Sequence, residues 1–126
     1  MTPQSVLCDL GFLHALVHPD DDRHPSARGC YTRLLDQYEV NAVRLRARAD
    51  HLADVKRGHH ADLLAPVEPI HVARQYRRQA ARLHQTYPPD LALTLVVMRR
   101  ESIHRIATFD PFFNSIEVTV EVASGV

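Results

Sequence analysis

Short apolar runs alternate with stretches of helical spacing along most of this chain, and this alternation constrains the fold more than any other feature. The predicted strands cover residues 5–8, about 40–45, 67–72, 103–109 and 116–122. The predicted helices cover residues 10–17, 25–38, a stretch ending at about 57, 73–85 and 91–100. Strands that alternate with helices predict an α/β fold, in which helices flank both faces of a mainly parallel central sheet.

Two patterns meet between the second predicted strand and the helix that follows it. Apolar residues alternate with arginines from Val43 to Arg48, which is typical of a strand with one side facing solvent. Beyond them, Leu52 and Val55 fall at helical spacing, and Gly58 is a natural helix end. We therefore expect a short strand near 40–45, followed by a helix to about residue 57.

The outer strands and the last helix have patterns of their own. Pro69 cannot donate to a ladder, so the strand 67–72 should have edge character, and the final strand 116–122 should also lie at an edge. The helix 91–100 is apolar almost all round. Such a helix is buried on most sides, either under a sheet or in a subunit interface.

The composition fits a single globular domain over residues 1–126, because 45% of the residues are apolar and the chain is long enough for one core. The formal net charge is zero, which excludes a broad basic footprint for nucleic acid but not a local basic face. Cys8 and Cys30 cannot supply a zinc ligand set. Asp9 interrupts the first apolar stretch, which argues against a signal peptide or membrane span and predicts a cytoplasmic protein.

Three aspartates lie at the ends of predicted elements. Asp9 follows the first strand, Asp110 follows the strand 103–109, and Asp90 opens the helix 91–100. In parallel sheets the ligand site lies beyond the carboxyl ends of the strands, so these side chains should converge. Each aspartate also has a simpler explanation, because Asp9 and Asp90 can be helix N-caps and Asp110 can form a turn before Pro111.

Converging carboxylates repel one another unless a cation compensates their charge. Mg²⁺ suits an all-oxygen site and keeps several waters beside one or two carboxylates. A hydrated Mg²⁺ can orient a water nucleophile and stabilise the leaving oxygen of a phosphodiester. The pattern therefore predicts phosphodiester hydrolysis, with Mg²⁺ as the cofactor and Mn²⁺ as its alternative.

Four segments together are typical of one protein family: the strand, acidic residue and helix at 5–16, the loop at 18–25, the acidic segment and helix at 90–100, and a Thr-x-Asp-x-x-Phe signature at Thr108, Asp110 and Phe113. They resemble PIN domains, and the resemblance is closest to the VapC-type toxins of bacterial toxin–antitoxin pairs. The resemblance covers most of the chain in order. It implies a three-layer α/β fold and a Mg²⁺-dependent endoribonuclease whose catalytic residues are Asp9, Asp90 and Asp110. It also implies an RNA substrate and a protein antitoxin as partner. Because such toxins often dimerise, a homodimer is possible as well.

One position departs from the family pattern. The family usually carries a glutamate on the helix after the second strand, but this chain has none there, and Asp50 is the nearest substitute. The expected metal ligands are therefore Asp9, Asp90, Asp110 and Asp50, with weak activity. The alternatives are a PIN-like module that acts by binding RNA or protein, and an unrelated α/β domain with coincidental aspartates.

The remaining polar residues favour structural roles. No zinc-type spacing joins the histidines, so solvated or capping positions are expected for His18, His24, His51, His59, His60 and His84. The acidic run at 20–22 is expected to be a solvated turn. A row of arginines on the helix 73–85 faces solvent or contacts RNA phosphates or an acidic partner: Arg74, Arg77, Arg78 and Arg82.

Overall fold

A parallel sheet with helices on both faces forms the part of the protein that the computed structural model describes, residues 2–56, 60, 62–83 and 85–121. The strands are β1 Gln4–Cys8, β2 Val43–Arg48, β3 Val67–Ile70, β4 Arg105–Ala107 and β5 Thr119–Val120. The helices are α1 Leu10–Val17, α2 His24–Glu39, α3 Ala49–Lys56, α4 Arg74–Leu83 and α5 Pro89–Arg100, with a 3₁₀ helix at Pro111–Ser115. The predicted α/β fold is confirmed.

All strand pairs in this sheet are parallel, and the spatial order is β3-β2-β1-β4-β5. β1 lies at the centre, and the predicted edge positions of β3 and β5 are confirmed. Because every strand runs the same way, the strands end along one edge of the sheet. We call this edge, which follows Cys8, Arg48, Ile70 and Ala107, the carboxyl rim.

Alternate side chains of each strand enter different layers, as the pleat of a strand requires. On one face, Val6, Cys8 and Leu45 pack against α1, α2 and α3. On the other face, Leu7 and Ile106 pack against α4 and α5. The result is the expected arrangement of three layers, with a hydrophobic core on each side of the sheet.

The second strand was predicted too early, at about 40–45, because it starts at Val43 and runs to Arg48. The helix before it continues to Glu39, and the chain then turns through Asn41, whose φ of 59° lies in the left-handed region. The amide of Ala42 bonds back to the carbonyl of Gln37 at 2.8 Å, which ends the helix and delays the strand.

The last two strands are shorter than predicted. Residue 103 closes the turn that follows α5, since the amide of Ile103 bonds to the carbonyl of Met98 at 2.8 Å and Ser102 adopts a φ of 55°. β4 therefore spans only Arg105–Ala107. The 3₁₀ helix then takes the chain away from the sheet, so β5 pairs only through Thr119 and Val120. The end of the predicted strand, at residue 122, lies outside the described residues.

The helix α5 is covered mainly within the chain. One side packs on the sheet and another packs on α4, and six of its side chains are buried: Ala92, Leu93, Thr94, Val96, Val97 and Met98. Burial within one chain thus explains most of its apolar character, as one of the two alternatives predicted. Among the described residues, no helix is both long enough and apolar enough to cross a membrane.

Candidate active site at the carboxyl rim

Asp9 is the first residue after β1, and it also caps α1. One carboxylate oxygen, Oδ1, accepts a hydrogen bond from the amide of Phe12 at 2.9 Å. The other, Oδ2, accepts a hydrogen bond from the hydroxyl of Thr108, which follows β4. The predicted cap and the predicted rim position are therefore both present, and the carboxylate is fixed at two points.

Asp110 lies two residues beyond Thr108 and is held by the same threonine. Its amide donates to Oγ1 of Thr108 at 3.0 Å, and its Oδ1 accepts from the amide of Phe112 at 2.9 Å, which caps the 3₁₀ helix. The predicted turn role is thus present as well. Since Thr108 also binds Asp9, one buried hydroxyl ties the two acidic positions together.

Asp90 lies in the first turn of α5, and its side chain is 66% exposed. The N-cap of this helix is Pro88, so the N-cap explanation for Asp90 is wrong. Its Oδ1 accepts hydrogen bonds from Nη1 of Arg48 at 2.9 Å and faces Nε2 of His51 at 3.2 Å.

Asp9, Asp90 and Asp110 line one cavity of about 340 Å³ at the carboxyl rim. Seven other residues complete its lining: Leu10, Gly11, Arg23, Leu91, Thr94, Phe109 and Phe113. Within the described part of the chain, however, no group of three or more His, Cys, Asp or Glu side chains is arranged so that it could hold a metal ion as it stands. The three carboxylates share a cavity without forming a closed ligand cage.

Asp50 occupies a different place from the other three acids. Both of its oxygens bind Arg48, with Nη2–Oδ2 at 2.6 Å and Nε–Oδ1 at 3.1 Å. Asp50 does not belong to the lining of the cavity. Its expected role as the fourth metal ligand stays a prediction.

Arg48 is the most important rim residue that the sequence did not reveal. The alternating pattern placed it on the solvent side of a strand, but its side chain is only 3% exposed. Its guanidinium spans Asp50 and Asp90, and it also donates to the Asp90 carbonyl at 3.2 Å and to Oγ1 of Thr94 at 3.1 Å. The expectation fails because the first turn of α5 covers the end of β2 on that face.

His51 is also buried, so its predicted solvated or capping position is wrong. Its Nε2 faces Asp90, and its Nδ1 has no hydrogen-bond partner among the described residues. The ring nitrogens of His18 and His24 do cap carbonyls, of His14 and Ala15 respectively, each at 2.8 Å. His59 and His84 lie outside the described residues.

The acids of the rim have opposite electrostatic environments. Burial raises the pKa of Asp9, and the negative charge of Asp110 adds to the rise, although hydrogen bonds from Thr108 and Phe12 act against it. The hydrogen bond with His51, followed by the charge of Arg48, lowers the pKa of Asp90 to about 2.

For Asp50, partial burial raises the pKa, but the hydrogen bonds and charge of Arg48 outweigh it and the net pKa is lowered. The Arg48 side of the rim therefore stabilises ionised acids, whereas the partly buried carboxyl of Asp9 forms no ion pair within the part of the chain that the structure describes.

A second guanidinium lies at the mouth of the cavity. Arg23, in the loop between α1 and α2, bonds to both carboxylate oxygens of Asp21 at 3.2 and 3.3 Å. Its Cζ lies 4.9 Å from the ring centroid of Phe109, within the range of a cation–π contact. Because its side chain is still 46% exposed, Arg23 can also bind an anion that enters the cavity.

The four α4 arginines are exposed, as predicted.

The architecture matches that of a known toxin. A solved structure of VapC20 from Mycobacterium tuberculosis, described as a sarcin-ricin loop cleaving toxin, is similar with a TM-score of 0.67 and 21% sequence identity. The match covers 90% of this chain and 98% of the toxin chain. This chain has the VapC fold. No protein-family model matches the sequence, and neither does any curated protein. The predicted PIN-type architecture of VapC toxins is thus confirmed as a fold.

Proposed function

We propose that this protein is a Mg²⁺-dependent endoribonuclease, the toxin of a bacterial toxin–antitoxin pair, which hydrolyses RNA phosphodiester bonds in the rim cavity. The observation that carries the proposal is that Asp9, Asp90 and Asp110, far apart in the sequence, line a single cavity. The VapC fold supports the same function, because the similar VapC20 is described as a toxin that cleaves the sarcin-ricin loop.

The donor atoms of the cavity fit Mg²⁺. The three acidic groups supply only oxygen, and Mg²⁺ is typically bound through one or two carboxylates plus waters. Asp9 and Asp110 suit this role best, because each is fixed by hydrogen bonds that leave further oxygen lone pairs available. Asp90 has one oxygen already engaged by Arg48 and His51, so it would contribute its Oδ2, directly or through water.

The residues of this chain have separate roles in the proposed reaction. A water oxygen attacks phosphorus, the bond between phosphorus and the leaving oxygen breaks, and the leaving oxygen takes up a proton. When bound, Mg²⁺ orients the attacking water and stabilises charge on the leaving oxygen. Asp9 and Asp110 hold the ion, Thr108 positions both residues, and Arg23 binds a phosphate oxygen of the RNA backbone.

The proposed partners follow from the same fold. A protein antitoxin would block the cavity, and the toxin would act in the cytoplasm, where its RNA substrate is found. The exposed arginines of α4 offer contacts for RNA phosphates or for an acidic antitoxin segment. A homodimer is proposed from the family resemblance, and light scattering over a wide concentration range would test it: a monomer throughout would contradict it.

The direct test is cleavage of end-labelled RNA by the purified protein with Mg²⁺, with Mn²⁺, and with excess EDTA. We expect internal cleavage that requires the metal and is slow, because one carboxylate of the cavity is partly neutralised by Arg48. Several RNAs should be compared, since the sequence preference is a separate property. RNA binding without cleavage under every metal condition would favour a binding module instead.

A further inference from the structure

The buried guanidinium of Arg48 is a prominent feature of the rim that takes no part in the proposed reaction. All three of its nitrogens donate hydrogen bonds: Nε and Nη2 to Asp50, and Nη1 to the Oδ1 and carbonyl of Asp90 and to Thr94. Its side chain is 3% exposed, whereas those of Asp50 and Asp90 are 41% and 66% exposed. The guanidinium of Arg48 is therefore enclosed by the protein, and the two acids are the more exposed partners of these contacts.

These contacts place the positive charge of Arg48 directly beside the oxygens of both acids. Both carboxylate oxygens of Asp50 accept hydrogen bonds from Arg48. In Asp90, Oδ1 accepts a hydrogen bond from Arg48 and contacts His51. A divalent cation bound closely by both Asp50 and Asp90 would have to displace a guanidinium whose side chain is only 3% exposed. If it left the guanidinium in place, it would bind beside a fixed positive charge, which is unfavourable.

We propose that Arg48 is a permanent counter-ion that takes the place of a second divalent cation, so that the cavity binds one metal ion per chain, at Asp9 and Asp110. This inference rests on the proposed function, because it assumes that the rim cavity binds a metal. Arg48 acts on that metal through Asp90 and is therefore a positioning residue. Under this proposal Asp50, which is engaged by Arg48, does not take over the role of the glutamate that the family pattern carries.

The number of bound ions tests the inference without measuring activity. Isothermal titration with Mn²⁺, together with electron paramagnetic resonance of the free ion, gives the count for the unmodified chain, which we expect to be one. Arg48→Met removes the charge but keeps an apolar stem, so Asp50 and Asp90 become available and a second Mn²⁺ should bind. In Arg48→Lys the charge remains and the count should return to one. Asp110→Asn should abolish the first site.

Each outcome has a defined meaning. Two ions on the unmodified chain, or a count that stays at one in folded Arg48→Met, overturn the inference and leave the proposed function intact. No ion on the unmodified chain overturns both the inference and the metal dependence of the proposed function.

If Arg48→Met does not fold, Asp50→Asn keeps the inference testable. Because both oxygens of Asp50 are engaged by Arg48, this variant should still bind one Mn²⁺, with an affinity reduced by about 10- to 100-fold at most, as for a group outside the ligand set. A loss as large as that of Asp110→Asn would show that Asp50 is itself a ligand and would overturn the inference.

Discussion

The hydroxyl of Thr108 donates a hydrogen bond to Oδ2 of Asp9, and this contact joins the end of β4 to the end of β1. The two residues are 99 positions apart in the sequence, and the threonine is buried. The same hydroxyl accepts the amide of Asp110 at 3.0 Å. The threonine of the Thr-x-Asp-x-x-Phe signature therefore positions both Asp9 and Asp110.

Replacing Thr108 with valine keeps the volume and removes this link. We expect the free energy of unfolding to fall by about 1.5–3 kcal/mol, the usual size for a hydrogen bond to a charged group. The affinity for Mn²⁺ should fall too, because Asp9 and Asp110 lose their common support. Urea unfolding and metal titration measure the two effects. The exposed Thr32→Val serves as control and should change stability by less than about 0.5 kcal/mol.

Asp90 should contribute to the pH dependence of stability at the acid end. Its pKa is lowered to about 2 in the folded protein, against about 3.9 in an unfolded chain. Its contribution is therefore complete above the unfolded value and is lost as the pH falls towards 2. Urea unfolding at successive pH values should show a smaller loss in Asp90→Asn than in the unmodified chain.

A second acid titrates in the same range, because hydrogen bonds from Arg23 lower the pKa of Asp21 to about 2. Asp21→Asn must be measured beside Asp90→Asn for this reason. Identical acid profiles for Asp90→Asn and the unmodified protein would show that the contacts of Asp90 with Arg48 and His51 do not stabilise the fold.

Arg23 should act on substrate binding more than on the chemical step. Arg23→Ala should raise KM for RNA by roughly tenfold and leave kcat within about threefold, because a contact made equally before and during reaction affects binding alone. Arg23→Lys should be intermediate, since lysine keeps the charge and loses the planar fork. Arg28→Ala, an exposed arginine outside the cavity, is the matched control. A fall in kcat with an unchanged KM would place Arg23 in the chemical step.

The sequence predicted those parts of the site that depend on local pattern. The order of strands and helices follows from hydrophobic periodicity, and parallel pairing then brings the ends of β1 and β4 to one edge. That reasoning located Asp9 and Asp110. It could not locate Arg48, because an arginine at an alternating position appears solvent-facing until the packing of α5 on the end of β2 is known.

The same limit applies to His51, which is buried and contacts Asp90, 39 residues further along the chain. The starts of β2 and β4 were missed for a related reason. Asn41 and Ser102 adopt left-handed backbone angles that delay the start of the strand that follows, and neither angle could be predicted from the local pattern. Contacts between elements, rather than patterns within them, determine these features.

If three distant aspartates form one catalytic cavity, a panel of four variants should show it in the rate of RNA cleavage. RNA cleavage rates at saturating Mg²⁺ should be compared for Asp9→Asn, Asp90→Asn and Asp110→Asn, with Asp36→Asn on the exposed side of α2 as control. We predict losses on the order of 100-fold for Asp9 and Asp110, a smaller loss for Asp90, and no loss for Asp36. Cleavage that survives unchanged in both Asp9→Asn and Asp110→Asn would contradict the claim.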